Sequence, residues 1–175
     1  MKSKRKIIQT LCIVYKYPEI LLGMKKRGFG SGLWNGFGGK VHPVKSAKGG
    51  PASRKFNRVK KESIEEAAKR ELREECGLTA VEMEKVGVIK FEFQGKKDAP
   101  EVHFFWVKKW TGNPAESEEM RPSWFQINNI PLDKMWPDDK YWIPIFLDNK
   151  KFKGKFLFGK KGEIINHELK QSEVL

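Results

Sequence analysis

Residues 62–78 read ESIEEAAKRELREECGL, and this pattern predicts an amphipathic helix. Ser63 is a suitable N-cap residue, and Glu66 stands three positions later, as in a capping box. Gly77 is a typical residue for ending a helix. Apolar side chains recur at helical spacing and form one stripe, consisting of Ile64, Ala67, Ala68 and Leu72. We therefore expect one side of this helix to pack against a core.

A neighbouring side of the same predicted helix gathers carboxylates. Glu71, Glu74 and Glu75 stand at positions i, i+3 and i+4, which places them on one face. Like charges at this spacing destabilise an isolated helix, so a bound cation would offset their repulsion. Carboxylate oxygens suit a hard cation, Mg²⁺ or Mn²⁺. The stretch therefore predicts a helix that carries a divalent metal site.

Length and composition favour a single folded domain. The chain has 175 residues, of which 39% are apolar and 12% aromatic, and this content argues against disorder. It contains no stretch of 18 apolar residues, so we expect no membrane span. Only a short strand-like segment follows the basic start, and no cleavage-type site is apparent, so we expect no secretory signal. Cys12 and Cys76 are too few for a disulfide framework, and we expect both to be buried. These features predict a cytoplasmic protein, with a mitochondrial or nuclear fraction left open.

The net charge of +13 predicts polyanionic partners, and a large part of it lies in one segment. Residues 42–61 contain seven lysines and arginines and no acid. Their glycine, proline and serine content predicts an inserted basic loop. We favour a mobile loop over an ordered nucleic-acid contact for this segment.

The remaining pattern predicts an α+β fold. A glycine-rich turn at 34–41 has two interpretations, a plain tight turn or a close approach of the backbone to a phosphate or metal. A second helix is expected from 137 to about 148, bent by Pro144. Strands are predicted at 6–15, 19–25, 86–93, 102–110, 124–127, 153–158 and 163–169.

Gly39, Glu62 and residues 70–78 together resemble the signature of the Nudix hydrolases. That signature has a glycine, then a glutamate, then REUxEExGU, where U is a bulky apolar residue. The spacing from Glu62 to Leu78 fits in full. The resemblance implies one Nudix domain over residues 1–175, with a mixed β-sheet sandwiched between helices.

One departure concerns the connection between the glycine and the helix. The family signature leaves five residues there, whereas residues 40–61 intervene in this chain, and Lys61 replaces the glycine that usually precedes the glutamate. The cost of closing a loop grows slowly with its length, so we expect the fold to tolerate the insertion. Its effect on the geometry of a metal or phosphate site stays open.

The resemblance extends to residues 22–30, 34–41, 119–122 and 135–139, which are similar to the animal family members that hydrolyse oxidised purine nucleoside triphosphates. It implies Mg²⁺-dependent hydrolysis of nucleotides such as 8-oxo-dGTP and 2-hydroxy-dATP to the monophosphate and pyrophosphate. Such a reaction would sanitise the nucleotide pool and prevent mutation. The implied partner is a purine nucleoside triphosphate, and the implied state is a monomer without membrane contact.

The resemblance also implies roles for individual residues. Glu71 and Glu75 are the best candidates for metal ligands, and Glu74 is a third ligand or a base. The Gly39 carbonyl and Glu119 are implied to complete the metal shell. Arg70 is expected to orient the glutamates, supported by Glu62. The implied substrate pocket consists of Thr10, Lys25, Phe29, Asn35, Phe91, Trp136, Asp138, Asp139 and Trp142, with Pro100 at its rim.

Asp138 and Asp139 are a pair of adjacent carboxylates. They stand at the start of the second predicted helix, where the helix dipole favours carboxylates, so simple capping is an equal alternative. Adjacent carboxylates can share one proton, because ionising both is costly. A shared proton would let one pocket read oxidised guanine and oxidised adenine.

Two other functions stay open at this point. One is hydrolysis of another diphosphate, such as a dinucleoside polyphosphate or a nucleotide sugar. The other is nucleic-acid binding through residues 42–61, which would be salt-sensitive and would disappear when that segment is deleted.

Overall fold

The computed structural model describes residues 5–42 and 62–175. Its two helices are α1, Ile64–Cys76, and α2, Asp139–Leu147. Its strands are β1 Arg5–Lys16, β2 Glu19–Lys25, β3 Trp34–Asn35, β4 Thr79–Phe93, β5 Asp98–Thr111, β6 Met120–Gln126, β7 Phe152–Phe158 and β8 Ile164–Gln171.

The strands form one mixed sheet in the order β3-β2-β1-β5-β4-β7-β8, and β6 pairs with β2. β1 runs parallel to β5, and β4 runs parallel to β7. β1 pairs antiparallel with β2, and β7 pairs antiparallel with β8. The sheet thus joins distant parts of the chain and determines which loops meet at its edges.

Alternation along the strands builds a core on each face of the sheet. Ile13 belongs to the core beneath α2, and its neighbour Val14 belongs to the core beneath α1. Phe104 and Phe105 of β5 divide between the two cores in the same way. Successive side chains of a strand point to opposite faces, so the two helices sandwich the sheet. The predicted α+β class and layer arrangement are confirmed.

The sequence prediction for α1 is confirmed in detail. Ser63 accepts a hydrogen bond from the Glu66 amide, and the Glu66 carboxylate accepts one from the Ser63 amide, which completes a capping box. Gly77 ends the helix with a φ of 77°, a conformation that glycine adopts without strain. The stripe is buried at Ala67, Ala68 and Leu72 and only partly buried at Ile64.

Several element boundaries differ from the prediction. β4 begins at Thr79 rather than near residue 86, and its early part carries register shifts that interrupt the alternation used to predict it. β6 begins at Met120 rather than 124 and includes Pro122. α2 covers Asp139–Leu147 with Pro144 inside it.

Residues 43–61 of the predicted basic loop lie outside the described part of the chain. The residues that flank them are joined, because the His42 amide donates a 3.2 Å hydrogen bond to the Glu62 carboxylate. The chain therefore leaves and re-enters the described fold at one point. Within the described ranges, no helix has both the length and the apolar character needed to cross a membrane.

Candidate active site

The glycine-rich turn lies directly against the acidic face of α1. The Gly38 amide donates a 2.7 Å hydrogen bond to Glu75, and a Cβ atom on Gly39 would lie only 2.6 Å from a carboxylate oxygen of Glu71. β1 holds the turn in place, since the Thr10 amide donates to the Gly39 carbonyl at 2.8 Å. A Cβ atom on Gly38 would collide with the Thr10 carbonyl oxygen, at 1.9 Å. The glycines therefore let the backbone approach the carboxylates of α1 closely, and an approach to a phosphate or metal stays a prediction.

Glu75 is the most deeply buried of the acids on α1, with 4% of its surface exposed. Burial raises the pKa of Glu75 to about 7, although the Gly38 amide and the Lys25 ammonium favour its ionised form. Lys25 Nζ lies 3.7 Å from Glu75 Oε1 and 3.3 Å from Glu119 Oε2. The cluster thus holds a carboxylate whose ionisation depends on nearby positive charge.

Arg70 connects three glutamates and the glycine-rich turn. It contacts Glu62 at 2.7 Å, Glu71 at 2.8 Å and Glu74 at 3.2 Å. Its Nη2 also donates to the Lys40 carbonyl. Hydrogen bonds from Arg70 lower the pKa of Glu62, and the same bonds raise the pKa of the guanidinium. These contacts suit a residue that orients the glutamates.

Glu119 approaches from the chain just before β6. Hydrogen bonds from Lys25 and Arg27 lower the pKa of Glu119, so it is ionised at neutral pH. A cavity of about 370 Å³ opens between α1 and this segment. Its lining contains Arg27, Glu71, Glu74, Glu75, Ser117, Glu118 and Glu119.

Residues 5–42 and 62–175 contain no group of three or more His, Cys, Asp or Glu side chains already spaced to hold a metal ion. The carboxylates pair instead with Lys25, Arg27 and Arg70. The donor set nevertheless fits a hard divalent cation, because anionic oxygens from α1 and from Glu119 line one cavity. The narrow gap between Gly39 and Glu71 leaves room for no side chain at residue 39.

A larger cavity of about 960 Å³ joins the acidic cluster to a second group of side chains. Asp138 and Asp139 also line it, with 4% and 3% of their surfaces exposed. The remaining predicted residues among its lining are Thr10, Lys25, Phe29, Asn35, Gly39, Arg70, Glu71, Glu74, Glu75, Phe91, Glu119 and Trp136, together with Pro100.

Two hydrogen-bond donors hold the Asp139 carboxylate in place. Asp139 accepts hydrogen bonds from Trp142 Nε1 at 2.9 Å and from the Trp136 amide at 3.1 Å. Burial raises the pKa of Asp138 to about 7, and burial together with the Asp138 carboxyl raises the pKa of Asp139 well above its usual range. The simple-capping alternative is weakened, since Asp138 makes no side-chain capping bond to α2.

Aromatic rings form the wall beside the aspartates. Phe29 is 68% exposed, and its ring centroid lies 4.9 Å from that of Trp136. Gly30 adopts a positive φ and leaves no room for a Cβ atom, which would lie 2.9 Å from the Trp136 ring. This contact allows the loop that carries Phe29 to lie against Trp136.

Trp142 does not line the cavity, unlike the other predicted substrate-binding residues. It is 3% exposed and packs against Phe104 and Phe152 in the core beneath α2. Residues 139 and 142 are three positions apart on α2, so their side chains share one face of the helix. The Trp142 indole therefore reaches Asp139 from the side of the core. We therefore correct its assignment from pocket wall to hydrogen-bond partner of Asp139.

The prediction missed several lining residues. Phe93, Phe104 and Phe158 line the cavity, and so does Arg27. Phe91 and Phe93 share a strand face, so the period of two could have added Phe93 to the predicted Phe91. Phe158 could not be found this way, because its place depends on the parallel pairing of β4 with β7.

Comparison with known proteins decides the family. The NUDIX domain model matches residues 6–146. The chain belongs to the Nudix family. An oxidized purine nucleoside triphosphate hydrolase of Danio rerio is 46% identical over 166 residues, which are 95% of this chain and 96% of that protein. The protein of the same name from Mus musculus is also 46% identical, over 94% of each chain.

Solved structures of this Nudix fold are similar at lower identity. A MutT protein from Bacillus halodurans has a TM-score of 0.72 at 24% identity and covers 93% of this chain and 97% of its own. A MutT protein from Methanosarcina mazei Go1 has a TM-score of 0.61 at 22% identity, covering 86% and 99%. At these identities the likeness shows the fold alone.

Proposed function

We propose that this Nudix protein hydrolyses oxidised purine nucleoside triphosphates to the monophosphate and pyrophosphate, and so removes damaged nucleotides from the nucleotide pool. The observation that carries the proposal is one cavity lined by two chemically different sets of side chains. The carboxylates of α1 form one set, and the aspartate pair with its aromatic wall forms the other. Both relatives that are 46% identical bear the name of this activity.

The acidic set would hold the divalent cation that the family implies, with Mg²⁺ as the proposed ion and Mn²⁺ as a substitute. Glu71, Glu75, Glu119 and the Gly39 carbonyl are the proposed ligands. The ion would neutralise phosphate charge and lower the pKa of a bound water. The Gly39 carbonyl accepts a 2.8 Å hydrogen bond from the Thr10 amide and a longer one, 3.5 Å, from the Thr10 hydroxyl, and a metal ion would replace the longer bond.

The side chains around these ligands have distinct proposed tasks. Arg70 fixes the orientation of Glu71 through a 2.8 Å ion pair. Lys25 lies between Glu75 and Glu119, where its ammonium can move onto a phosphate oxygen once another cation replaces it. The Glu74 side chain is 59% exposed and faces the cavity, so we assign it as the group that accepts the proton of the attacking water.

The aspartate pair would read the oxidised base. Both carboxyls are buried side by side, so one proton on the pair is favoured over two charges near neutral pH. The protonated carboxyl would donate a hydrogen bond to the base, and the ionised carboxyl would accept one. Trp142 and the Trp136 amide hold Asp139 in place while the proton changes partner.

Aromatic contacts would hold the base flat against this reading edge. Trp136 and Phe29 are the proposed stacking partners, and Phe91 and Thr10 line the same cavity. Asn35 lies opposite on β3, where its Oδ1 accepts from the Gly36 amide. This bond leaves the Asn35 amide nitrogen as a donor for an acceptor on the base.

Pyrophosphate release across a panel of nucleotides tests the proposal. The panel contains 8-oxo-dGTP, 2-hydroxy-dATP, dGTP and a dinucleoside polyphosphate, each with Mg²⁺ and with EDTA. We expect the highest kcat/KM for the two oxidised nucleotides and no turnover with EDTA. A preference for the dinucleoside polyphosphate would reject the proposed substrate, and turnover in EDTA would reject the proposed metal. The monomeric state and the cytoplasmic location stay predictions.

A further inference from the structure

Lys96 lies over two aromatic rings that line the large cavity. Its Nζ is 4.9 Å from the ring centroid of Phe29 and 4.9 Å from that of Phe93. The two rings meet edge to face, with their centroids 6.2 Å apart and their planes at 82°. An ammonium within about 6 Å of a ring centroid is attracted by the negative face of the ring. One cation therefore attracts both rings.

The two rings belong to different segments of the chain. Phe29 stands in the loop between β2 and β3, and Phe93 is the last residue of β4. Lys96 follows in the turn between β4 and β5, where its amide donates a 3.1 Å hydrogen bond to the Phe93 carbonyl. This turn is fixed to β7, because the Gln94 amide donates to the Phe158 carbonyl at 2.8 Å. Lys96 thus links the loop of Phe29 to a firmly held part of the sheet.

The position of the Phe29 ring depends on side-chain contacts. Within the described chain, the backbone of residues 28–33 forms hydrogen bonds to backbone groups only within that loop and with Lys25. The Phe29 side chain is 68% exposed, and its ring centroid lies 4.9 Å from that of Trp136. Holding an exposed side chain in one rotamer costs conformational freedom, so each contact that favours the rotamer matters.

We propose that Lys96 is a positioning residue for the base, because its ammonium holds the Phe29 ring in place against Trp136. The inference rests on the proposed function, since it concerns the wall on which the oxidised base would stack. Lys96 does not line the cavity, so it acts through the ring of Phe29. A ring that is already held loses less freedom when a ligand stacks on it, and binding is tighter as a result.

The expected effect is on KM rather than on kcat. The base of a nucleoside triphosphate is remote from the phosphorus that water attacks, so a lost stacking contact removes binding that the ground state and the transition state share. An exposed cation–ring contact corresponds to about a two- to fivefold change in affinity.

Steady-state hydrolysis of 8-oxo-dGTP by the full-length protein with Mg²⁺ tests this proposal. Lys96→Gln removes the cation and keeps a polar side chain, and we expect it to raise KM about two- to fivefold with kcat unchanged. Lys97→Gln is the matched control, because Lys97 is an exposed lysine of the same turn. Among the described residues Lys97 makes no cation–ring contact, so its substitution should leave KM unchanged.

Two further variants distinguish positioning from other roles of Lys96. Lys96→Arg should retain the KM of the parent, because a guanidinium also stacks on aromatic faces. In a Phe29→Ala background, Lys96→Gln should raise KM no further, since the ring through which Lys96 acts is absent. The same increase with and without Phe29 would assign Lys96 to a direct contact with the substrate and overturn the proposal.

Other results would also overturn it. These are equal KM values for Lys96→Gln and Lys97→Gln, a loss of kcat without a change in KM, and failure of Lys96→Arg to restore KM. A double-mutant cycle of Lys96→Gln and Phe29→Ala in urea unfolding needs no substrate. We expect a coupling of about two- to fivefold in the unfolding equilibrium constant, and additive effects would overturn the inferred contact. A parent that hydrolyses no nucleotide of the panel would reject the proposed function, and the cycle would still decide whether Lys96 holds Phe29.

Discussion

Gly39 and Glu71 lie in contact although 31 residues separate them in the sequence, and a Cβ atom on Gly39 would lie 2.6 Å from the Glu71 carboxyl carbon. Residues 40–61 precede the helix, yet the glycine-rich turn reaches the acidic face of α1. The reason is local: β1 holds the turn, and His42 and Glu62 hold the flanking residues together. The long connection therefore does not separate the glycine-rich turn from the helix, and its effect on metal or phosphate geometry stays a prediction to be tested.

The Gly39→Ala variant should therefore damage the site more than the fold. Its methyl group must push the Glu71 carboxylate aside, and a displacement of about 1 Å at a reacting centre can reduce the rate roughly 100-fold. We expect kcat to fall by that order, measured as pyrophosphate release. The Tm should change by less than about 4 °C, since the clash is with a side-chain end rather than with the core. A kcat within twofold of the parent would contradict the inferred contact.

Glu75→Gln should abolish metal-dependent hydrolysis while the protein stays folded. The amide oxygen can still accept the hydrogen bond from Gly38, but the neutral side chain is a much weaker metal ligand. We expect at least a 100-fold loss of kcat, comparable to the loss of a major electrostatic contact in other enzymes. Circular dichroism and Mg²⁺ titration calorimetry would separate folding from metal binding. Retained turnover would remove Glu75 from the ligand set.

Phe29→Ala should impair substrate binding without affecting stability. Phe29 is 68% exposed, so its removal costs little core packing, whereas a stacked base would lose about 1–3 kcal/mol of contact. We expect KM for 8-oxo-dGTP to rise roughly 5- to 100-fold. Tyr17→Ala is the matched control, because Tyr17 is 76% exposed and does not line the cavity. Equal effects of the two substitutions on KM would argue against base stacking on Phe29.

Asp138→Asn should make stability less dependent on pH. The folded-state pKa of Asp138 is raised to about 7, so the folded protein binds this proton more tightly than the unfolded chain. The contribution of Asp138 to the free energy of unfolding therefore falls as pH rises from about 4 to about 7. The neutral amide avoids this loss, and we expect the variant to gain about 1–3 kcal/mol over the parent at pH 8.

The same variant should show little gain at pH 4, where the parent carboxyl is already protonated. Urea denaturation at both pH values in EDTA measures the difference. Substitution should also raise KM for the oxidised nucleotides, because an amide cannot exchange a proton with Asp139. A variant whose selectivity among the panel matches that of the parent would remove the proton-sharing account.

Sequence reasoning was most successful where local rules suffice. The caps and the apolar stripe of α1 follow from residue type and helical spacing, and so does the shared face of Glu71, Glu74 and Glu75. The start of β4 was predicted less well, because register shifts near Lys85 interrupt the alternation of buried and exposed side chains by which a strand is recognised. Residues 43–61 are outside the described structure, and their predicted role stays a prediction.

The sequence by itself thus determined the helix, its acidic face and the family, because these depend on contacts within one or two turns. Only the tertiary structure decided how Trp142 acts, since its indole reaches Asp139 from within the core instead of lining the cavity. It also decided that Lys153 faces Lys170, a pairing that depends on strand register. Burial and register are set by packing between distant segments, and local sequence patterns do not encode them.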